Sequence, residues 1–265
     1  MLETLLYLNE DLASSIALRY IAYINKFVQL ALHVVHVEEA DTKERAGGTG
    51  WVRRTWEDGI AFNGRRLMYR MLRTENIDCQ LAGPPKVFVG DRETEITYEL
   101  CTGGYKLFVE GYLNTDDPDK FYKLIRSPLY KRTSCPVLMV KNLSVSKKLG
   151  LLCSENIDPE FLVEKSIALL GDTSFMLDIV YFKFKKNETL QFLDKKEACN
   201  HLKKTEALLT QSGKSVNNVN VVSGTPEQVG DFLKEYALVA APFPDRRDML
   251  METIANSLAS VLLIR

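Results

Sequence analysis

Two stretches of this chain carry the same succession of apolar and polar residues without a gap. Residues 4–8 (TLLYL) form a short apolar run that stops at Asn9-Glu10-Asp11. Leu12, Ile16, Tyr20, Tyr23, Ile24 and Phe27 follow at helical spacing, and residues 30–37 (LALHVVHV) read as a buried strand. Residues 149–153 (LGLLC) stop in the same way at Ser154-Glu155-Asn156. Phe161, Ile167 and Leu170 continue at helical spacing, and residues 175–182 (FMLDIVYF) form a second buried strand. Asn9 to His36 is 27 positions, and so is Ser154 to Tyr181, an offset of 145 between copies. A strand, a helix and a strand joined by short connections is the unit of a parallel sheet.

The duplication runs on with a shrinking offset. KVFVG (86–90), a helical stretch from Glu93 to Leu100 and YKLFVEG (105–111) match NVNVVSG (218–224), PEQVGDFLKEY and ALVAAP (237–242). The glycines closing the third strands, Gly90 and Gly224, are 134 apart, and the final strands CPVLMVK (135–141) and ASVLLIR (259–265) are 124 apart. The first copy therefore carries 11 extra residues before its third strand and 10 after it, as loop insertions in a duplicated domain produce. The second helix is expected over about Trp56 to Arg73 in one copy and Lys195 to Leu209 in the other. Each copy reads β-α-β-α-β-α-β-α-β, which predicts two tandem doubly wound parallel five-stranded sheets, of order 3-2-1-4-5 by analogy with such folds. The domains are expected at 1–142 and 147–265, with a polar linker between them.

Composition narrows the function classes. The formal net charge of −1 over 265 residues supplies no global field for nucleic acid or an anionic membrane. No run of eighteen apolar residues occurs. The N-terminus lacks a basic flank before its apolar stretch, so a cytoplasmic location is expected. Five scattered cysteines without a C-x-x-C pair give neither a zinc site nor a dithiol couple, and are expected to be buried reduced thiols. Three histidines (His33, His36 and His201) build no Ser-His-Asp or Cys-His arrangement. Neither a catalytic residue nor a metal ligand is assigned.

Several short motifs resemble universal stress proteins. Ser134-Cys135-Pro136-Val137-Leu138-Met139-Val140 resembles their terminal strand, and Val35-His36-Val37 the close of their second. Val89-Gly90-Asp91 and Ser223-Gly224-Thr225-Pro226-Glu227 resemble the turn after their third strand, and Leu107-Phe108-Val109-Glu110-Gly111 their fourth strand. The order of these motifs covers nearly the whole chain in two copies. The resemblance implies an adenine-nucleotide-hydrolase-like fold and pairing through last strands. Here 135–141 would pair with 259–265 as an intrachain pseudo-dimer. That pairing also covers two apolar edges that would otherwise invite aggregation.

Many proteins of that family bind ATP, through an Asp closing the first strand and a G-x2-G-x9-G-[S/T] motif after the fourth. Such glycines let the backbone approach phosphates, and free N–H groups hold the anion. Both copies depart from the pattern. In the first, Asn9 replaces the Asp, Gly111 matches the first glycine, and Asn114, Leu124 and Ile125 occupy the later positions, with Asp116, Asp117 and Asp119 in the loop. In the second, Ser154 replaces the Asp, and Pro242 and Asp245 replace glycines. The expectation is a regulatory or stress-response module with a degenerate nucleotide site that acts by binding, not catalysis. An ATP- or AMP-binding module or weak ATPase is the alternative, with Asn9, Val37, Gly90 and Gly111 lining a ligand crevice at the strand ends. For Gly90 and Gly224, a turn with unusual backbone angles is the favoured reading.

The inserted region 40–73 gives a third reading, an interaction scaffold. Trp51, Arg53, Arg54 and Trp56, then Arg65, Arg66, Arg70 and Arg73, make a basic and aromatic stretch. Its expected form is an amphipathic helix that buries Leu67, Met71 and Phe62. Acidic Glu57 and Asp58 dilute it, so nucleic acid is disfavoured, while a protein partner and a homodimer stay open. AGGTG (46–50) lacks a following Gly-Lys-Ser/Thr and reads as a loop. Asp245 is expected to cap a helix, and His36 to be a satisfied core side chain.

Overall fold

The computed structural model describes residues 1–39, 51–75, 79–113, 117–144, 146–171, 173–186 and 189–265. The 46–50 loop, Asn114 and Asp116 lie outside the described residues. The chain divides into two compact units, one of residues 1–111 with 126–135, the other of residues 112–125 with 136–265.

The first unit contains β1 (Leu2–Tyr7), α1 (Leu12–Ile24), β2 (Leu30–Glu38), α2 (Trp51–Thr74), β3 (Lys86–Val89), α3 (Arg92–Gly103) and β4 (Leu107–Gly111). Its strands are parallel in the order β3-β2-β1-β4. Leu6 stands in register with Val34 on one side and Val109 on the other. Leu5, Leu6, Leu32, Val35, Phe108 and Val109 are buried, the near-continuous apolar run of a strand covered on both faces. Polar residues set the helix starts: Asp11 accepts the Ser14 N–H at 2.7 Å and Asp91 the Thr94 N–H at 2.9 Å.

The helix α2 is longer than the sequence pattern predicts, and it buries a different face. Met68 and Gly64 face inward, Leu67 and Met71 are half-buried, and Phe62 is 61% exposed. A Cβ at Gly64 would stand 2.7 Å from Val87 Cγ1, so the missing side chain lets the helix lie close on β3 and sets which face turns inward. Gly90 and Gly224 also correct their expected role. Neither has a positive φ; the described glycines that do are Gly104, Gly171 and Gly213. A Cβ on Gly90 would collide with the Glu95 side chain, and one on Gly224 would come within 2.7 Å of Gln228 Oε1. These glycines make room for a side chain of the following helix. In the second case that side chain closes a capping box with Thr225.

The second unit contains α4 (Pro118–Ile125), β5 (Val137–Val140), β6 (Lys148–Cys153), α6 (Pro159–Leu170) and β7 (Met176–Phe184); the short α5 (Pro128–Arg132) belongs to the first. It continues with β8 (Gln191–Phe192), α7 (Asn200–Gln211), β9 (Asn218–Gly224), α8 (Pro226–Phe232), β10 (Leu238–Pro242), α9 (Met249–Asn256) and β11 (Ser260–Ile264). The order is β5-β11-β10-β6-β7-β9-β8. Numbered within the second copy, β9-β7-β6-β10-β11 is 3-2-1-4-5, and these five strands are parallel. β5 closes the first copy in sequence, but it packs in this second unit. It runs antiparallel to β11, with Val137 opposite Leu263, Leu138 opposite Leu262 and Met139 opposite Val261. The last strands therefore pair within the chain, and all of these side chains are buried.

Three local expectations are corrected in this unit. The segment 195–211 is broken, because Asp194 caps a short 3-10 turn (Lys195–Glu197), Ala198 and Cys199 go extended, and Cys199 then caps α7. The cap of α9 is Asp248, three residues beyond Asp245, and it accepts the Met251 N–H at 2.9 Å. Of the five free thiols only Cys135 and Cys153 are buried, while Cys101 is exposed.

Lys141, directly after β5, points its ammonium at the end of α9. Nζ donates to the carbonyls of Ile254 (2.6 Å), Ala255 (3.0 Å) and Ser257 (3.0 Å). It also lies 5.3 Å from the Phe121 ring centre and 5.9 Å from that of Tyr112. Burial pulls its pKa from 10.5 down to about 7.

Candidate ligand crevice

At the C-terminal ends of β1, β2 and β4 in the first unit lies a crevice of about 450 Å³. Parallel α/β sheets place ligand clefts there, because the connecting loops diverge where strand order reverses. Three of the four sequence-predicted residues line it: Asn9, Val37 and Gly111. Gly90 does not. Its N–H donates to the Glu38 carbonyl at 3.0 Å and extends the pairing of β3 with β2.

The charged part of the crevice lay outside the sequence reading. Glu110 is buried near the end of β4. It accepts hydrogen bonds from the Arg92 guanidinium and the Tyr130 hydroxyl. Arg92 lies 4.6 Å over the centre of the Tyr7 ring. Burial raises the Glu110 pKa while Arg92 draws it back. Burial also raises that of Tyr7. Asp11, Glu38 and Glu39 add three carboxylates to the lining, against the one cation Arg92. The clue in the sequence was a charged residue inside the buried run LFVEG, with an arginine just after the Gly-Asp turn.

The backbone donors a phosphate would need are already engaged. The Asn9 N–H donates to Ser14 Oγ at 2.8 Å, and Asp11 occupies the start of α1. Gly111 serves packing, because a Cβ there would collide with the Ala13 carbonyl of α1. Just beyond it, in the second unit, the Tyr112 N–H donates to Val140 O at 2.7 Å. The second copy repeats the pattern: Pro242 offers no N–H, and that of Phe243 donates to Ile264 O at 2.8 Å. Asp117 accepts the N–H groups of Asp119 and Lys120 at the start of α4. Asp119 itself pairs with Arg247 at 2.5 Å. Among the described residues no group of three His, Cys, Asp or Glu side chains could hold a metal.

His36 is satisfied at one nitrogen. Nδ1–H donates to Leu8 O at 2.8 Å. Nε2 stands 3.1 Å from Glu38 Oε1 without hydrogen-bonding geometry to any described residue.

Solved structures share this architecture over the full chain. A universal stress protein from Archaeoglobus fulgidus DSM 4304 superposes with a TM-score of 0.63 at 15% identity, covering 99% of this chain and 96% of that one. The chain has the universal stress protein fold. A Pseudomonas aeruginosa UCBPP-PA14 protein described as of the same kind gives 0.59 at 15% identity, covering 99% and 92%. A protein of unknown function from Pseudomonas aeruginosa PAO1 gives 0.57 at 14% identity, with the same coverage. No family model matches the sequence, and no curated protein matches it. At these identities the universal stress protein fold is what is shared, and the crevice has to be read from its own residues. No described helix is long and apolar enough to cross a membrane.

Proposed function

We propose that the chain is a universal-stress-protein-like regulatory or stress-response protein whose nucleotide site is degenerate and which acts by binding without catalysis. The observation that carries this reading is the Arg92–Glu110–Tyr130 cluster, set among further carboxylates where a nucleotide would have to place its phosphates. The single guanidinium there is already neutralised, so a triphosphate would meet net negative charge at short range. The engaged donors of Asn9 and Tyr112 point the same way.

The test is mass spectrometry of small molecules released from purified, denatured protein, followed by calorimetric titration with ATP and AMP. The reading expects no stoichiometric nucleotide and no ATP binding below millimolar concentration. Recovery of ATP at one per chain, or micromolar binding, would install the nucleotide-binding alternative.

One further observation supports a second reading, a protein-interaction surface. The outward face of α2 exposes Phe62 and Tyr69 between Arg65, Arg66 and Arg73, which have no ion-pair partner among the described residues. Aromatic residues and arginine are enriched where proteins meet.

A further inference from the structure

The second unit holds a cavity at the other strand ends, where β6 and β7 begin and α6 and α7 finish. Its volume is about 280 Å³. Leu149 and Leu151 of β6, Phe175 before β7 and Leu209 of α7 form a buried apolar wall. Ile167, Leu170 and Leu177 continue it outward, and Gly171, Gly213 and Ser215 form an exposed rim.

One polar side chain interrupts the buried wall. Ser166, in the middle of α6, is 3% exposed, and its Oγ has no hydrogen-bond partner among the described residues. Four other hydroxyls within or at the end of helices in this unit turn back onto the preceding turn. Thr205 donates to His201 O, Thr210 to Glu206 O, Ser212 to Leu208 O and Thr253 to Met249 O, each at 2.9 Å. Ser166 does not use this local escape, although an unsatisfied buried hydroxyl is costly. A lone water is a poor remedy, because a buried water needs two to four polar partners and this inner wall offers one.

Size and electrostatics narrow the occupant. A dry cavity of about 150 Å³ takes benzene, so this one suits a body of about two fused rings. Both helices end at the rim with glycines of positive φ, Gly171 at +54° and Gly213 at +72°. Helix C-termini present carbonyl dipoles and disfavour an anionic head; Lys214, the one cationic side chain of the lining, acts the other way, which is why 2-naphthoate belongs in the test.

We propose that this cavity binds a small neutral amphiphile, a hydrocarbon body of about two fused rings carrying one hydroxyl, with that hydroxyl paired to Ser166 Oγ. The pocket would then be a sensing site for an aromatic or alicyclic alcohol, independent of the crevice in the first unit.

The experiment titrates the isotope-labelled full-length chain with 2-naphthol, naphthalene and 2-naphthoate, followed by amide shifts in NMR. The expected result is tightest binding by 2-naphthol, roughly tenfold over naphthalene for one buried hydrogen bond. Shifts should centre on residues 166–177 and 209–215. Ser166→Ala, which removes a costly unpartnered hydroxyl and should hold or raise the melting temperature, is expected to erase the gap between 2-naphthol and naphthalene. Ile167→Trp, at a half-buried position, should fill the space and abolish binding of both. Any of four results overturns the proposal: no 2-naphthol binding up to its solubility, shifts centred elsewhere, tightest binding by 2-naphthoate, or a gap that survives Ser166→Ala.

Discussion

Replacing Lys141 by methionine tests how much the junction at β5 costs to keep charged. The two side chains are similar in length, so Lys141→Met keeps the packing against Tyr112 and Phe121 and removes only the amine. In the folded protein burial brings that amine from 10.5 to about 7. In the unfolded chain it returns to the ordinary value. Between these two pH values the unfolded state binds a proton that the folded state does not, so the lysine's contribution to stability rises with pH. It is fully present above 10.5, declines as pH falls, and is lowest below about 7. At about 1.4 kcal/mol per pH unit, the full window is worth roughly 5 kcal/mol, of which about 2.5 kcal/mol falls between pH 7.5 and 9.5.

The assay is urea unfolding of the wild type and Lys141→Met at several pH values in that range. The quantity to plot is the difference in unfolding free energy, which cancels the titration of cysteines and tyrosines common to both proteins. A difference that climbs by about 2 to 3 kcal/mol in favour of the wild type supports the reasoning. A flat difference refutes it. It would mean that the three carbonyls of Ile254, Ala255 and Ser257, which together ask for three N–H donors, keep the amine protonated against the pull of burial.

Two predictions concern packing. Gly111→Ala should destabilise the protein by about 1 to 3 kcal/mol in thermal or urea melts, because the new methyl meets the Ala13 backbone. Gly90→Ala should cost clearly less, because it meets a flexible side chain, that of Glu95, and no backbone; equal losses would contradict the distinction. Leu262→Ala, at the centre of the β5–β11 pairing, should cost about 2 to 5 kcal/mol. A loss below 1 kcal/mol would show that this seam contributes little to stability.

The repeat was legible because apolar runs recur at fixed spacing; the strand order followed by analogy with doubly wound folds, and the partnership of the last strands from the resemblance to universal stress proteins. The element ends were less legible. Nothing in DKKEACNHL announces that Cys199 will break and restart a helix, since the break depends on local backbone angles. The buried face of α2 was misread because hydrophobicity favoured Phe62, whereas the absence of a side chain at Gly64 chose the contact. In the crevice, Asn9, Val37 and Gly111 follow from where parallel strands end. Arg92 and Glu110 do not, because their meeting joins residues 18 positions apart from two elements. Ser166 was invisible in the sequence: a helical serine normally has its hydroxyl satisfied by the preceding turn, and only the packed structure shows one that does not.

The seam between β5 and β11 has a consequence for how the protein behaves on dilution. Two separate chains that meet strand to strand come apart when their concentration falls below their affinity. Here the partner strand arrives on the same polypeptide, at a local concentration fixed by tether length and not by the amount of protein present. The contact between Leu138 and Leu262 should therefore persist in nanomolar solution, and expression level cannot act as a switch on it.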